Sequence, residues 1–189
     1  MANITVQCQC GIVAGKLDNV SAGSGTRLMC YCSDCQAYAR AMKAECLMNA
    51  YGGTDIFQVP PGYLTFHQGA DRLIILRLKE GGLTRWYSDC CQTLIANTVS
   101  ATMPFVGLIL NPSVNVFDQK ALGHVRYHVQ AEYAEGQPSG VTMHRGFPFG
   151  LLLRNFPLFM WAKLRGKAAE SPFYKSSGDP ISEPVVHLG

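Results

Sequence analysis

All eight cysteines of the chain fall between Cys8 and Cys91, so whatever they do together is done by the first half. The tightest group is Cys30-Tyr31-Cys32-Ser33-Asp34-Cys35, a C-x-C-x2-C run in a polar turn behind the apolar pair Leu28-Met29. Thiolates are soft ligands that suit zinc, and a C-x2-C turn lets two sulfurs reach one metal at about 2.3 Å. No obvious fourth ligand lies nearby. Structural zinc sites are closed by four protein ligands whereas catalytic ones keep a position open, so three cysteines alone point to a reactive metal. The same run also reads as a structural site closed by a distant residue, a redox C-x2-C pair, or buried thiols without metal.

The rest of the chain sets the frame for those sulfurs. It is long enough for one hydrophobic core, and with 48% apolar and 15% charged residues it is not disordered. A net charge of +3 with no dense Lys/Arg run in the first two thirds gives no reason to expect a nucleic-acid partner. Residues 1–6 carry no basic n-region followed by an apolar stretch, so no secretory signal is expected. The expected compartment is cytoplasmic, with reduced thiols.

Nineteen glycines and ten prolines, separating short β-branched runs, favour a mainly β architecture. Residues 4–7 and 12–17 read as strands around the knuckle Cys8-Gln9-Cys10-Gly11, with both sulfurs on one side. That pair is either a metal half-site or two core cysteines on one strand face. A short strand at 27–29 delivers Cys30. A helix is expected from Ser33, as its N-cap, to about residue 49. It places Cys35 at a helix N-terminus, which favours thiolate, and makes Cys46 a packed thiol near its far end.

Strands expected at 55–59, 63–67, 73–79 and 83–87 read as a meander, with further strands at 93–99, 104–110 and 123–131. His124, Arg126 and His128 in the last run receive no role. The strand at 83–87 runs straight into Ser88-Asp89-Cys90-Cys91. Two knuckles facing one another would make a four-thiolate site from Cys8, Cys10, Cys90 and Cys91, which requires a turn to bring the adjacent pair to one side. Residues 1–135 are thus expected to form a zinc-binding β domain and 136–189 a C-terminal extension. Within the extension, residues 147–166 read as an apolar helix packed on the domain or on a second subunit, or lying in a membrane interface. Gly150, Arg154 and two prolines argue against a membrane span.

Taken together, Cys8-x-Cys10-Gly11, Cys30-x-Cys32-x2-Cys35 and a late knuckle opening onto Cys91-Gln92-Thr93 resemble the glutathione-dependent formaldehyde-activating enzymes. That family includes the centromere-protein-V-like proteins and shares the Mss4-like β fold. The resemblance covers residues 4–110. The stretches Trp86-Tyr87-Ser88-Asp89-Cys90-Cys91-Gln92-Thr93 and Gly52-Gly53-Thr54-Asp55-Ile56-Phe57 are similar to an uncharacterised bacterial branch of it. It implies an Mss4-like fold of zinc-stapled sheets, a structural zinc on Cys8, Cys10 and Cys91, and a catalytic zinc on Cys30, Cys32 and Cys35. The late knuckle departs from the family pattern, with Ser88 where the first cysteine should stand and Gln92 where the glycine should stand. Either Cys90 substitutes for the missing ligand or the first site has only three thiolates.

The implied reaction adds glutathione, or a similar small thiol, to formaldehyde or a related small aldehyde, in the carbon–sulfur lyase class. Asp34, Tyr31 and Tyr38 are candidates for moving the proton. Arg40, Lys43, Arg85 and Arg154 are the available cations, and none marks a glutathione carboxylate site, so another thiol is equally admissible. The alternative is a non-catalytic, zinc-stabilised binding module in which His67 or Cys46 closes the Cys30 metal. Its apolar C-terminal helix would then dock a partner, a second subunit or a membrane surface.

Overall fold

The computed structural model describes residues 1–112, 119–166 and 171–187. In chain order its elements are β1 (Ala2–Gln7), β2 (Ala14–Val20), β3 (Thr26–Cys30), α1 (Ser33–Ala41), β4 (Thr54–Val59), β5 (Leu64–Gln68), β6 (Leu73–Arg77), β7 (Thr84–Ser88), β8 (Leu94–Thr98), β9 (Val106–Ile109), α2 (Gln119–Leu122), β10 (Tyr127–Val129), α3 (Phe149–Leu164) and β11 (Pro184–His187). Three strands pair in the order β1-β2-β5, and eight in the order β10-β3-β4-β9-β8-β7-β6-β11. The protein is therefore mainly β, with two sheets and one long helix near the C-terminus.

Alternation builds the core. Ile4, Val6 and Cys8 point inward from one side of β1 and its knuckle, and Leu17 and Val20 do so from β2. They meet Phe57, Leu73, Ile75, Trp86 and Leu108 of the large sheet. Each such side chain contributes about 1.5–3 kcal/mol when fully buried. Phe173, beyond the expected domain boundary, joins the same core, with its ring centroid 4.9 Å from that of Trp86.

The expected meander over residues 55–87 is split. β5 leaves to pair with β2, while β4 lies between β3 and β9, and the consecutive meander is β6-β7-β8-β9. The reason lies in the two faces of each strand. In β4 four of six residues are buried, which suits the middle of a covered sheet; in β5 only Leu64 is buried, which suits an edge.

The helix after the Cys30 cluster is shorter than expected and begins differently. Its N-cap is Cys32, not Ser33, and its sulfur accepts the Cys35 N–H at 3.3 Å. It ends at Ala41 because Lys43 adopts φ +52°. The N–H groups of Lys43 and Ala44 then bond to the carbonyls of Arg40 and Ala39, the 5→2 and 6→1 pair of a Schellman motif. Cys46 falls in a following 3₁₀ turn, Glu45–Leu47, and is exposed rather than packed.

Near the C-terminus, α3 is pinned along one side. Leu151, Asn155 and Ala162 are buried, and Asn155 links Thr26 Oγ1 (2.7 Å) and Gln58 Oε1 (2.7 Å). Arg154 donates to the carbonyls of Ala22 and Gly25. Its other side is apolar and open: Phe156 is 67% and Leu164 82% exposed. No described helix is long and apolar enough to cross a membrane.

Candidate metal centres and the cavity beside one of them

Two groups of cysteines converge, and each brings its Sγ atoms within 4.8 Å of one another. The first is Cys8, Cys10, Cys90 and Cys91. Close pairs are Cys8–Cys10 at 3.5 Å, Cys8–Cys90 at 3.7 Å, Cys10–Cys90 at 3.3 Å and Cys90–Cys91 at 3.9 Å. Four sulfurs about 2.3 Å from one tetrahedral ion lie about 3.8 Å apart, so the set fits a divalent metal and is too widely spaced for disulfides. The knuckles hang from β1, in the small sheet, and β7, in the large one, so the group also joins the two sheets.

Each knuckle turns on a left-handed residue just after its last cysteine: Gly11 at φ +76° and Gln92 at φ +56°. Gln92 thus takes the conformation that glycine ordinarily supplies. Its N–H bonds to the Ser88 carbonyl, and the turn carries Cys90 and Cys91 to the same side. Ser88 is not a ligand here but a support, with its Oγ 3.4 Å from the Cys91 sulfur and accepting the Thr93 N–H. Thr93 Oγ1 approaches the same sulfur at 3.2 Å and also accepts the Gln9 N–H, tying one knuckle to the other. Burial raises the Cys91 thiol, but hydrogen bonds from Ser88 and Thr93 outweigh it and bring it down to about 5. Cys90 is pushed up to about 12 by burial and by its contacts with Cys10 and Cys8.

The second group is Cys30, Cys32 and Cys35, from the end of β3 and the first turn of α1. Cys30 and Cys35 are buried, with sulfurs 3.9 Å apart, and Cys32 is half-buried. Among the described residues no fourth His, Cys, Asp or Glu joins them. His67 and Cys46, the expected alternative ligands, are both exposed and outside the group.

The three thiols of this group shift one another strongly. Hydrogen bonds from Cys30 and Cys35 bring the Cys32 thiol down to about 3. Cys30 is driven up by its bonds to Cys32 and Cys35 and by burial. For Cys35 the bond to Cys30 lowers the pKa, but the bond to Cys32 and burial raise it further, to about 11. Sulfurs this close cannot all carry charge without a counterion. Beside them lies Arg85, 1% exposed, its Nη1 3.8 Å from Cys35 Sγ and 3.4 Å from Asn97 Oδ1. Its Nη2 makes no hydrogen bond to a described residue, and Asp34 Oδ2 is 4.0 Å away. A buried guanidinium requires nearby negative charge. Three thiolates with one divalent ion leave a single net negative charge, which matches it. Both groups can therefore hold a metal ion.

Cys35 also opens onto a cavity of about 700 Å³ between α3 and the large sheet, a volume typical of ligand sites. The tyrosines expected near the chemistry are otherwise engaged. Tyr38 donates to the Trp86 carbonyl at 3.1 Å, and Tyr31 OH lies 3.0 Å from His128 Nδ1. Asp34 pairs with Lys79 at 2.9 Å. Sequence reasoning ranked Arg85 as one cation among several. The available hint was an arginine within Leu83-Thr84-Arg85-Trp86-Tyr87, an otherwise apolar and β-rich run, since burying an arginine is costly without a reason.

Comparison with known proteins adds the following. No curated protein matches the chain. It is similar to a Rhodobacter sphaeroides protein whose crystal structure was determined as a structural-genomics target. The two are 17% identical, the match covers 64% of this chain and 96% of that one, and the TM-score is 0.42. A family model matches residues 1–185, nearly the whole length, and on that match the chain belongs to the family of unknown function DUF6151.

Proposed function

We propose that the protein is a zinc-dependent enzyme of the carbon–sulfur lyase type, adding a thiol to, or removing it from, formaldehyde or a related small aldehyde. The observation that carries this reading is the three-sulfur cluster without a fourth described ligand, placed at a ligand-sized cavity. Cys30, Cys32 and Cys35 would hold the working ion, and Cys8, Cys10, Cys90 and Cys91 a structural one. The likeness to the glutathione-dependent formaldehyde-activating enzymes and their Mss4-like fold belongs to the same proposal. Its support is the convergence of both cysteine groups and the two-sheet architecture.

When bound, zinc at the three-sulfur group supplies a position that takes an incoming thiol and lowers its pKa. The remaining work falls to the chain. Arg85 offsets the negative charge gathered on the sulfurs, and the apolar walls keep water from the reacting carbonyl. In the addition the carbon–sulfur bond forms as the carbonyl π pair moves to oxygen, and the proton surrendered by the thiol ends on that oxygen. Cys35 is the only ionisable residue among the described lining residues, so the cavity walls offer no dedicated group for this proton.

The exposed apolar side of α3 favours a second reading, a zinc-stabilised binding module without chemistry. Cobalt substitution separates the two. Under the enzymatic reading the visible spectrum of the cobalt-loaded protein shifts when a thiol is added. A spectrum indifferent to glutathione and to other thiols rejects the enzyme and leaves the module.

A further inference from the structure

Resting on the three-sulfur cluster as a thiol site, we propose that the thiol it serves carries an apolar chain or ring, lying in the groove between α3 and the large sheet. A charged peptide such as glutathione does not suit that groove. Val99, Met103 and Phe105, in the connection between β8 and β9, form one side, and Phe149, Leu152 and Phe156 the helix side. No charged residue is among the described lining residues. The amides that reach it are Asn155, which bonds to Thr26 and Gln58, Gln58 itself, and Asn97, whose Oδ1 accepts from Arg85; none carries a charge. Of a peptide's carboxylates and ammonium, one carboxylate at the inner end could meet Arg85, and the other charges would be desolvated with nothing to pair them. The other nearby cations are engaged elsewhere, Arg154 with the carbonyls of Ala22 and Gly25 and Arg40 with Glu135.

The helix supports the same occupant. Phe149, Leu152, Leu153, Phe156 and Met160 recur at helical spacing and are exposed, whereas such a stripe ordinarily faces a core. Polar bonds from Arg154 to Thr26 and from Asn155 to Gln58 hold α3 to β3 and β4, so its apolar stripe is left facing the groove and solvent. Phe159, stacked on Phe105 at 5.9 Å, bridges helix and sheet. What selects a ligand over a second protein copy is the inner end of the groove. There Cys35, beside the buried Arg85, offers a place for a sulfur head while the tail runs out along the apolar walls.

The test titrates the whole, metal-loaded protein with ethanethiol, hexane-1-thiol, hexan-1-ol and glutathione. Cobalt absorption reports contact with the sulfurs, and calorimetry reports affinity. A buried methylene is worth about fourfold in affinity. In a groove open on one side, hexane-1-thiol should bind on the order of tenfold or more tighter than ethanethiol. Hexan-1-ol should leave the cobalt bands unmoved, and glutathione should bind no better than ethanethiol. Phe156→Asp, on the exposed helix surface, should erase the gain with chain length while leaving the circular dichroism unchanged. Equal affinity for the two alkanethiols, or preference for glutathione, overturns the apolar substrate but leaves the thiol site standing. No cobalt response to any thiol overturns the thiol site and this inference with it. Dimerisation that Phe156→Asp abolishes, without hexane-1-thiol binding, gives the groove to a second copy and overturns the proposal.

Discussion

The two cysteine groups use the same atom type in opposite ways. The four-sulfur group is assembled from knuckles at the ends of β1 and β7, with Cys8 and Cys90 82 residues apart, and has a full tetrahedral set. The three-sulfur group comes from one short segment, residues 30–35, and has no fourth ligand among the described residues, while Cys35 lines a cavity and lies beside a buried arginine. A long-range, complete set acts as a staple between sheets; a local, incomplete one adds little cross-linking but leaves room for a ligand. On the proposed reading, metal at the first would serve folding and metal at the second chemistry.

The sharpest way to break this contrast is Cys8→Ser. Cys8 is fully buried, and its sulfur accepts the Val13 N–H at 3.2 Å. Losing the staple should cost upward of about 5 kcal/mol, comparable to the whole stability of a small domain. Loss of a cooperative thermal transition, together with loss of one metal equivalent, is the expected result. Cys32→Ser should behave differently. The serine oxygen can still cap α1, so the fold should survive with a stability change of about 1 kcal/mol or less, while one metal and the thiol response disappear. If Cys32→Ser unfolds as badly as Cys8→Ser, the division between staple and working site is wrong.

Arg85→Met probes the electrostatic half of the contrast. Without the guanidinium 3.8 Å from Cys35, metal affinity at the three-sulfur group should fall roughly 10- to 100-fold, with the four-sulfur group unaffected. Competition with a chromophoric chelator measures this, and equal weakening at both groups would contradict it. The smallest effect is expected at Gln92→Gly. Relieving a left-handed glutamine at the late knuckle should stabilise the fold by roughly 0.5 kcal/mol, read as a small rise in melting temperature with unchanged metal content.

Much of this was legible from residue order, for identifiable reasons. The strands around Cys8 and Cys10 show in their alternation, and the run ending in Cys30 in its apolar residues. The length of α1 was not legible: nothing local marks Lys43 as the left-handed residue that ends it, and the apolar spacing beyond continues to suggest helix. Cys32 displaced Ser33 as N-cap because its sulfur is held where the Cys35 N–H can reach it. The placement of β5 beside β2 could not be read from a series of strands in a row, since pairing between sheets is decided by which faces can be buried.

Covalent reach alone determined that Cys30, Cys32 and Cys35 could share an ion, because neighbours in one loop cannot be far apart in space. Chain connectivity carries no such guarantee for the rest. Whether Cys90 or Ser88 completes the first group depends on a turn stabilised by contacts across two sheets. That Arg85 lies against Cys35, and that α3 leaves a groove over it, were decided only by tertiary packing, where elements distant in sequence come together to bury their apolar faces.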